Sequence, residues 1–360
     1  MKRNHLTICL LGILWSFSAH AYELGGLAIQ GEAAFDYNYL STGDNRYPSN
    51  GGALNDQYRF NMAQILVKKE ADEISFLTRL SYIPTEVTTP GGGSTKSSFG
   101  TLDQFEIYYK FRPDLKVGFG RLCSTMGFES AMRYENVFYN NTVAYGSIVP
   151  GYGEGLRAMY NPGEWLALTL STYNRSTYNQ YGDDYNSTKT TEFSATGVLG
   201  PVLWFAGYYW GTDNGATATD PKLDKSTSNA WATYKFNDAF SFSVSYDSRT
   251  QKPQDASTNY AQSISGQASY ILGKHTLGLR YENILGAGEL DVLNGTTSLG
   301  YIGADKVQVF SAVEKYSLSE NLNMYLEYRQ DVADQSVLKD RNGDDTKNAY
   351  MITLGAIAKF

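Results

Sequence analysis

The sequence predicts an all-β fold: a closed, transmembrane, antiparallel β-barrel of about sixteen strands. Three observations predict it. Apolar and polar residues alternate with a period of two in segment after segment, so that one face of each segment is apolar. Short and long connections between these segments alternate along the whole chain. The composition is rich in aromatic residues and glycine (Tyr 29, Phe 17, Trp 5 and Gly 35 in 360 residues), while the mean hydropathy is negative. After the amino-terminal region no segment approaches the ~20 apolar residues of a membrane-spanning helix. Backbone groups in lipid must all be paired, so a sheet that spans a membrane must close on itself.

The elements follow in order. Lys2 and Arg3 precede an apolar run, Thr7 to Trp15, and then Ala19-His20-Ala21. This is the pattern of a secretory signal peptide over 1–21, leaving 22–360 as the barrel. Strand segments are expected at 27–40, 57–69, 73–87, 99–112, 115–123, 153–161, 164–175 and 190–200. They continue at 202–212, 227–236, 239–250, 259–272, 274–288, 304–317, 320–331 and 347–360. Leu166, Leu168 and Leu170 alternate with Ala167, Thr169 and Ser171; Phe240, Phe242, Val244 and Tyr246 alternate with serines and Asp247. Leu277, Leu279 and Tyr281 alternate with Gly278, Arg280 and Glu282, and the apolar phase of the last segment runs from Tyr350 to Phe360. Glu70-Ala71-Asp72, Pro113-Asp114, Pro162-Gly163, Pro201, Asn237-Asp238, Gly273 and Leu318-Ser319 are short turns. Between them fall long loops centred near 48, 93, 138, 182, 220, 254, 296 and 340. In a meandering sheet all short turns then lie at one end and all long loops at the other, as in outer-membrane barrels. Tyr37, Tyr39, Tyr109, Tyr160, Tyr281, Tyr328 and Tyr350 fall near segment ends, where interfacial aromatic girdles sit.

Charge and rare residues exclude other classes. The whole chain carries a formal −7; the leader removes Lys2 and Arg3 and no acid, so the mature chain carries −9, which argues against a nucleic-acid partner. Cys9, His5 and His20 also leave, so Cys123 and His275 stand alone, and a Cys/His zinc site is excluded. No cofactor is expected. Asp340-Arg341-Asn342-Gly343-Asp344-Asp345 lacks the spacing of a calcium loop and suits a turn. His275 lies beside a short turn with no triad around it, so no enzymatic activity is expected.

Several stretches carry a family resemblance: Gly120-Arg121-Leu122, Met126-Gly127-Phe128-Glu129, and Gly155-Leu156-Arg157-Ala158-Met159-Tyr160. So do Glu314 to Leu322, Glu327-Tyr328-Arg329-Gln330-Asp331 and the terminal Phe360. Together they resemble the beta-barrel porin-2 family, the OmpL-like group of bacterial outer-membrane porins; Leu122-Cys123-Ser124-Thr125 departs from its pattern. The resemblance implies a Gram-negative outer-membrane location and a water-filled channel for passive diffusion of small hydrophilic solutes and ions. It implies lipid as the surroundings, a terminal Phe360 read by the barrel-assembly machinery, and, by analogy with general porins, a homotrimer. Two alternatives stay open. One is a substrate-selective channel, for saccharides for example, with Tyr134, Tyr139, Tyr145, Tyr208 and Trp210 as a stacking track. The other is a structural or adhesive barrel.

For a channel, pore width and lining charge decide function. The third long loop, 124–152, is the longest, and the corresponding loop of general porins narrows the lumen. Here it carries Glu129, Arg133 and Glu135 as candidate constriction residues. Strand phase aims Arg157, Asp247, Arg249, Arg280, Glu282, Glu327 and Arg329 into the pore, because Arg or Lys facing lipid at the midplane costs ~2–4 kcal/mol. Glu129 and Glu135 facing Arg157, Arg280 and Arg329 would set up a transverse field. Pairing of each arginine with a neighbouring carboxylate would cancel it. Arg121 shares the phase of Val117 and Phe119 and is expected to need a bulge or snorkelling.

Overall fold

The computed structural model describes residues 22–24, 26–42, 56–82, 86–89, 93–96, 101–174, 188–213, 222–253, 257–289, 301 and 303–360. The expected leader and most of the loops centred near 48, 93, 182, 220, 254 and 296 lie outside the described residues.

The barrel strands are β1 (Leu27–Leu40), β2 (Gln57–Glu70), β3 (Ile74–Tyr82), β4 (Thr101–Arg112), β5 (Leu115–Cys123), β6 (Tyr152–Gly163), β7 (Leu166–Tyr173) and β8 (Thr190–Leu199). They continue as β9 (Val202–Asp213), β10 (Leu223–Lys235), β11 (Phe240–Pro253), β12 (Asn259–Leu272), β13 (His275–Leu285), β14 (Lys306–Ser319), β15 (Leu322–Ala333) and β16 (Asn348–Lys359). Each corresponds to one expected segment. The segment expected at 227–236 begins earlier, at Leu223, and the one expected at 73–87 ends in the barrel at Tyr82, with Glu86–Thr89 pairing instead with Gly93–Lys96 in a separate hairpin. Every strand pairs antiparallel with its sequence neighbours, and β16 closes on β1 from Glu32↔Lys359 to Leu40↔Met351. At two of the tight turns Gly200 and Gly273 have φ of 58° and 60°, a region costly for most other residues.

Burial inverts the rule of soluble proteins. Along β13, Leu279 is 66% exposed while its inward neighbours Arg280 and Glu282 are 4% and 0% exposed. The outward apolar face is the surface a bilayer solvates, and the inward polar face must find partners inside. Exposed Tyr109, Tyr160, Tyr281, Tyr328 and Tyr350 lie on the outer face, and Tyr350 stacks between Tyr39 and Tyr328, at 6.0 and 6.4 Å.

At the seam, Phe360 N donates to Gly31 O at 3.0 Å and Gly31 N donates to Phe360 O at 2.7 Å. The Phe360 ring covers Gly31 so closely that a Cβ there would overlap it. Arg121 remains in the outward phase, paired with Phe105 and Glu154. It is buried by an ion pair to Glu154 at 2.6 Å and by the Tyr152 ring beneath its guanidinium.

Candidate functional site

The interior is organised by the segment from Ser124 to Gly151, between β5 and β6. It contains a 3-10 turn, Arg133–Glu135, and a single helical turn, α1 (Val143–Ser147), capped by Thr142. The wall's backbone groups are consumed by the strand ladders, so the amides of an inner segment must find side-chain acceptors. They find wall carboxylates. Glu32 on β1 accepts from Arg133 N and Tyr134 N at 2.9 and 3.0 Å. Glu327 on β15 accepts from Tyr139 N and Asn140 N at 2.8 and 3.0 Å. Glu282 on β13 accepts from Val143 N and Ala144 N at 3.0 and 2.9 Å. Glu192 on β8 accepts from Thr125 N and its hydroxyl and from Ser124 Oγ, at 2.6–2.9 Å. Lys315 on β14 donates to Tyr134 O and Asn136 O, and Arg249 on β11 donates to Ser147 O. Because these strands are spread around the wall, the segment crosses the inside of the barrel.

Apolar contacts complete the attachment. Phe138, Tyr139, Tyr134 and Met132 pack with Ala34, Val313, Tyr325 and Ile357. Inward glycines leave the space: a Cβ on Gly355 would meet the Tyr139 ring, and one on Gly278 would meet Val137 and Phe138. On the far side Met126 and Val149 pack with Phe205, Tyr209 and Trp231, and Phe128 meets Trp231 edge-on at 5.6 Å. Val143, Ala144 and Ile148 pack on Ile284, Val307, Val309 and Met351 towards the long-loop end.

The seven wall residues singled out by phase all lie inward and buried. Arg280 donates to Glu129 at 2.9 Å and to Asn140 O, lies 3.8 Å from Glu327, and stacks on Phe138 at 4.2 Å. Glu129 also accepts from Thr142 N and Oγ1, both at 2.8 Å; burial pushes its carboxyl up, and Arg280 and Thr142 pull it back. Arg157 is occupied by Ser171, Tyr173, the carbonyl of Cys123 and, at 3.6 Å, Glu106. Arg329 forks onto Asp331 at 2.8 and 3.1 Å, and Asp247 accepts from Asn229. Arg133 is buried with its guanidinium 5.7 Å from the Tyr139 ring, while Glu135 is exposed and takes the Ser130 hydroxyl. Glu129 and Arg280 are therefore directly paired, and Arg157 and Arg329 have carboxylates of their own.

The stacking track is not formed. Tyr208 and Trp210 point outward, 46% and 41% exposed, stacked on each other at 5.4 Å, because β9 turns Phe205 and Tyr209 inward instead. Tyr139 is fully buried, which leaves no ring face for a sugar. His275 faces Glu314 at 2.8 Å at the short-turn end, and Asp340 accepts from Asn342 N and Asp344 N within its turn.

The inner segment fills the side from β7 round to β1. Against β1–β5 a cavity remains, lined on the wall by Gln30, Leu66, Leu77, Arg79, Gln104 and Cys123, and on the segment by Ser124–Gly127, Glu129–Met132, Glu135 and Tyr145. Sequence reasoning did not single out Glu32, Glu106, Glu192 or Arg79. Each stands in the inward phase of its strand, which was the available signal.

The family model described as putative beta-barrel porin-2, OmpL-like, matches residues 26–360. No curated protein matches the chain. Among solved structures the chain is similar to an anion-selective porin from Comamonas acidovorans, with 10% identity, a TM-score of 0.64, and coverage of 93% of this chain and 99% of that one. It is similar to the outer membrane channel DcaP of Acinetobacter baumannii, with 16% identity, TM-score 0.61, and 94% and 99% covered. It is also similar to in-vitro folded OmpT of Vibrio cholerae in its trimer form, with 13% identity, TM-score 0.59, and 93% and 99% covered. At these identities the likeness is one of fold.

Proposed function

Because the chain belongs to the putative beta-barrel porin-2, OmpL-like family, it is an outer-membrane channel, and we propose that the segment 124–151 is its fixed constriction. The observation that carries this reading is the set of wall carboxylates, Glu32, Glu192, Glu282 and Glu327, each taking two or more donors from that segment. Hydrogen bonds to a charged acceptor contribute roughly 1.5–3 kcal/mol each. Eight or so of them, with the apolar packing, hold the segment against thermal opening. Solutes then pass on the β1–β5 side, between Arg79 and Gln104 on the wall and Ser130 and Glu135 on the segment.

With Arg59, Arg157, Arg280 and Arg329 paired to carboxylates, and Glu32, Glu192 and Glu282 taken up by donors of the segment, the described lumen residues offer few free fixed charges and no continuous aromatic track. The transport mode is therefore passive diffusion of small hydrophilic solutes and ions. Planar-bilayer recordings test this reading: stable ohmic steps whose size is unaffected by millimolar oligosaccharides are expected, and concentration-dependent sugar block would replace general diffusion with a saccharide channel. We also propose assembly by recognition of Phe360 and a homotrimeric state, as in the trimer form of the Vibrio cholerae protein. Light scattering on the detergent-solubilised protein should return three barrels per particle, and a monomer would remove the trimer from the proposal.

A further inference from the structure

Arg79 stands apart from four arginines of the wall that have a carboxylate partner. Arg59 has Asp36 at 2.8 Å, Arg157 has Glu106 at 3.6 Å, Arg280 has Glu129 at 2.9 Å, and Arg329 has Asp331 at 2.8 Å. Arg79, on β3, is 4% exposed, yet among the described residues no carboxylate lies within ion-pair distance of it. Its Nη2 donates to the Tyr152 hydroxyl and lies 4.0 Å from Cys123 Sγ, and its Nε has no hydrogen-bond partner. The guanidinium sits 5.1 Å from the centre of the Tyr152 ring and lines the cavity beside Gln30, Gln104 and Cys123.

A guanidinium cannot shed its proton to escape burial, and an uncompensated buried charge is strongly unfavourable. Asp103 on β4 acts on it electrostatically from beyond ion-pair distance, and the remaining binding capacity of the guanidinium is turned to the cavity. Of the segment's carboxylates that line the cavity, Glu129 is held by Arg280 and Thr142, and Glu135 takes the Ser130 hydroxyl. The wall neighbours Gln30 and Gln104 are neutral and polar, which suits an oxyanion and would not repel it.

We propose that Arg79 is an oxyanion subsite in the lumen, where the carboxylate or phosphate group of a small solute pauses during passage. The subsite rests on the reading of this cavity as the conduction path. It makes the pore locally anion-friendly although the chain as a whole is acidic.

Cys123 is a natural reporter, since the only other cysteine, Cys9, lies in the expected leader. The experiment compares modification rates of Cys123 in the folded, full-length mature protein by a sulfonate-bearing and a trimethylammonium-bearing methanethiosulfonate, read by mass spectrometry. The anionic reagent should react roughly tenfold faster, as expected for a unit charge ~4–5 Å away in a partly wet site. Inorganic phosphate should slow it; acetate should do so too if carboxylates are taken, and protection by phosphate alone would assign the subsite to phosphate esters. Arg79→Gln should abolish both the preference and the protection, and Arg79→Lys should retain the preference. Equal rates for the two reagents in the wild-type protein would overturn the subsite without recourse to any variant, as would protection that survives in Arg79→Gln. A wild-type protein with the anionic preference but no conductance would keep the subsite and overturn the channel path through this cavity.

Discussion

Arg280 ties wall, segment and core together: its guanidinium meets Glu129, Asn140 O, Glu327 and the face of Phe138. Removing one member of a buried ion pair costs about 3–5 kcal/mol, mostly because the partner is left charged and dry. Arg280→Gln should therefore lower the urea midpoint of the folded barrel and make single-channel traces noisy as the segment loosens. Adding Glu129→Gln should recover part of the loss, since both ends of the pair are then neutral. A double variant no better than the single one would show that Arg280 acts through packing on Phe138 alone. At this scale the sequence was legible where alternation is unbroken. Arg157, Arg280, Glu282, Glu327 and Arg329 lie on strands whose phase can be followed without interruption. Arg79 too lies in an unbroken inward phase with Ser75, Leu77 and Ser81; the extra residue where the register shifts beside it, Asp103, is on β4. Its phase was therefore legible; its surroundings were not, because the contact with Tyr152 joins residues far apart in the chain.

The inner segment behaves as an element in its own right, although only Arg133–Glu135 and Val143–Ser147 are regular. Its length and the acidic and aromatic residues within it were visible in the sequence. Its acceptors were not, because the bond from Glu282 to the amides of Val143 and Ala144 joins residues far apart in the chain and leaves no periodic trace. The same holds for the glycines beneath it. Gly355 and Gly278 read as ordinary strand glycines, but each is the hole into which a ring of the segment fits. Gly355→Leu should unseat Tyr139 while leaving the β15–β16–β1 ladders intact, since the new side chain points into the lumen. The expected outcome is a barrel with unchanged far-ultraviolet circular dichroism and heat-modifiable migration, with altered and more variable conductance. Conductance identical to wild type would show that Tyr139 is not part of the seating.

For the whole molecule, the closed antiparallel sheet follows from constraints that the sequence states openly. These are a period of two, two classes of connection, and a backbone that must be fully paired in lipid. That is why all sixteen strands were readable even though no single one is strongly hydrophobic. The filling of the lumen was less readable, because a barrel of this width leaves an aqueous channel by geometry alone and only the inner segment decides how much stays open. The most direct measurement is single-channel conductance of a variant in which residues 127–147 are replaced by a short Gly-Ser linker, recorded beside wild type and paired with size exclusion of polyethylene glycols. The fixed-constriction account predicts a conductance several-fold larger and a higher polymer cut-off, with the barrel still heat-modifiable. A folded variant whose conductance and cut-off match those of the wild type would contradict it.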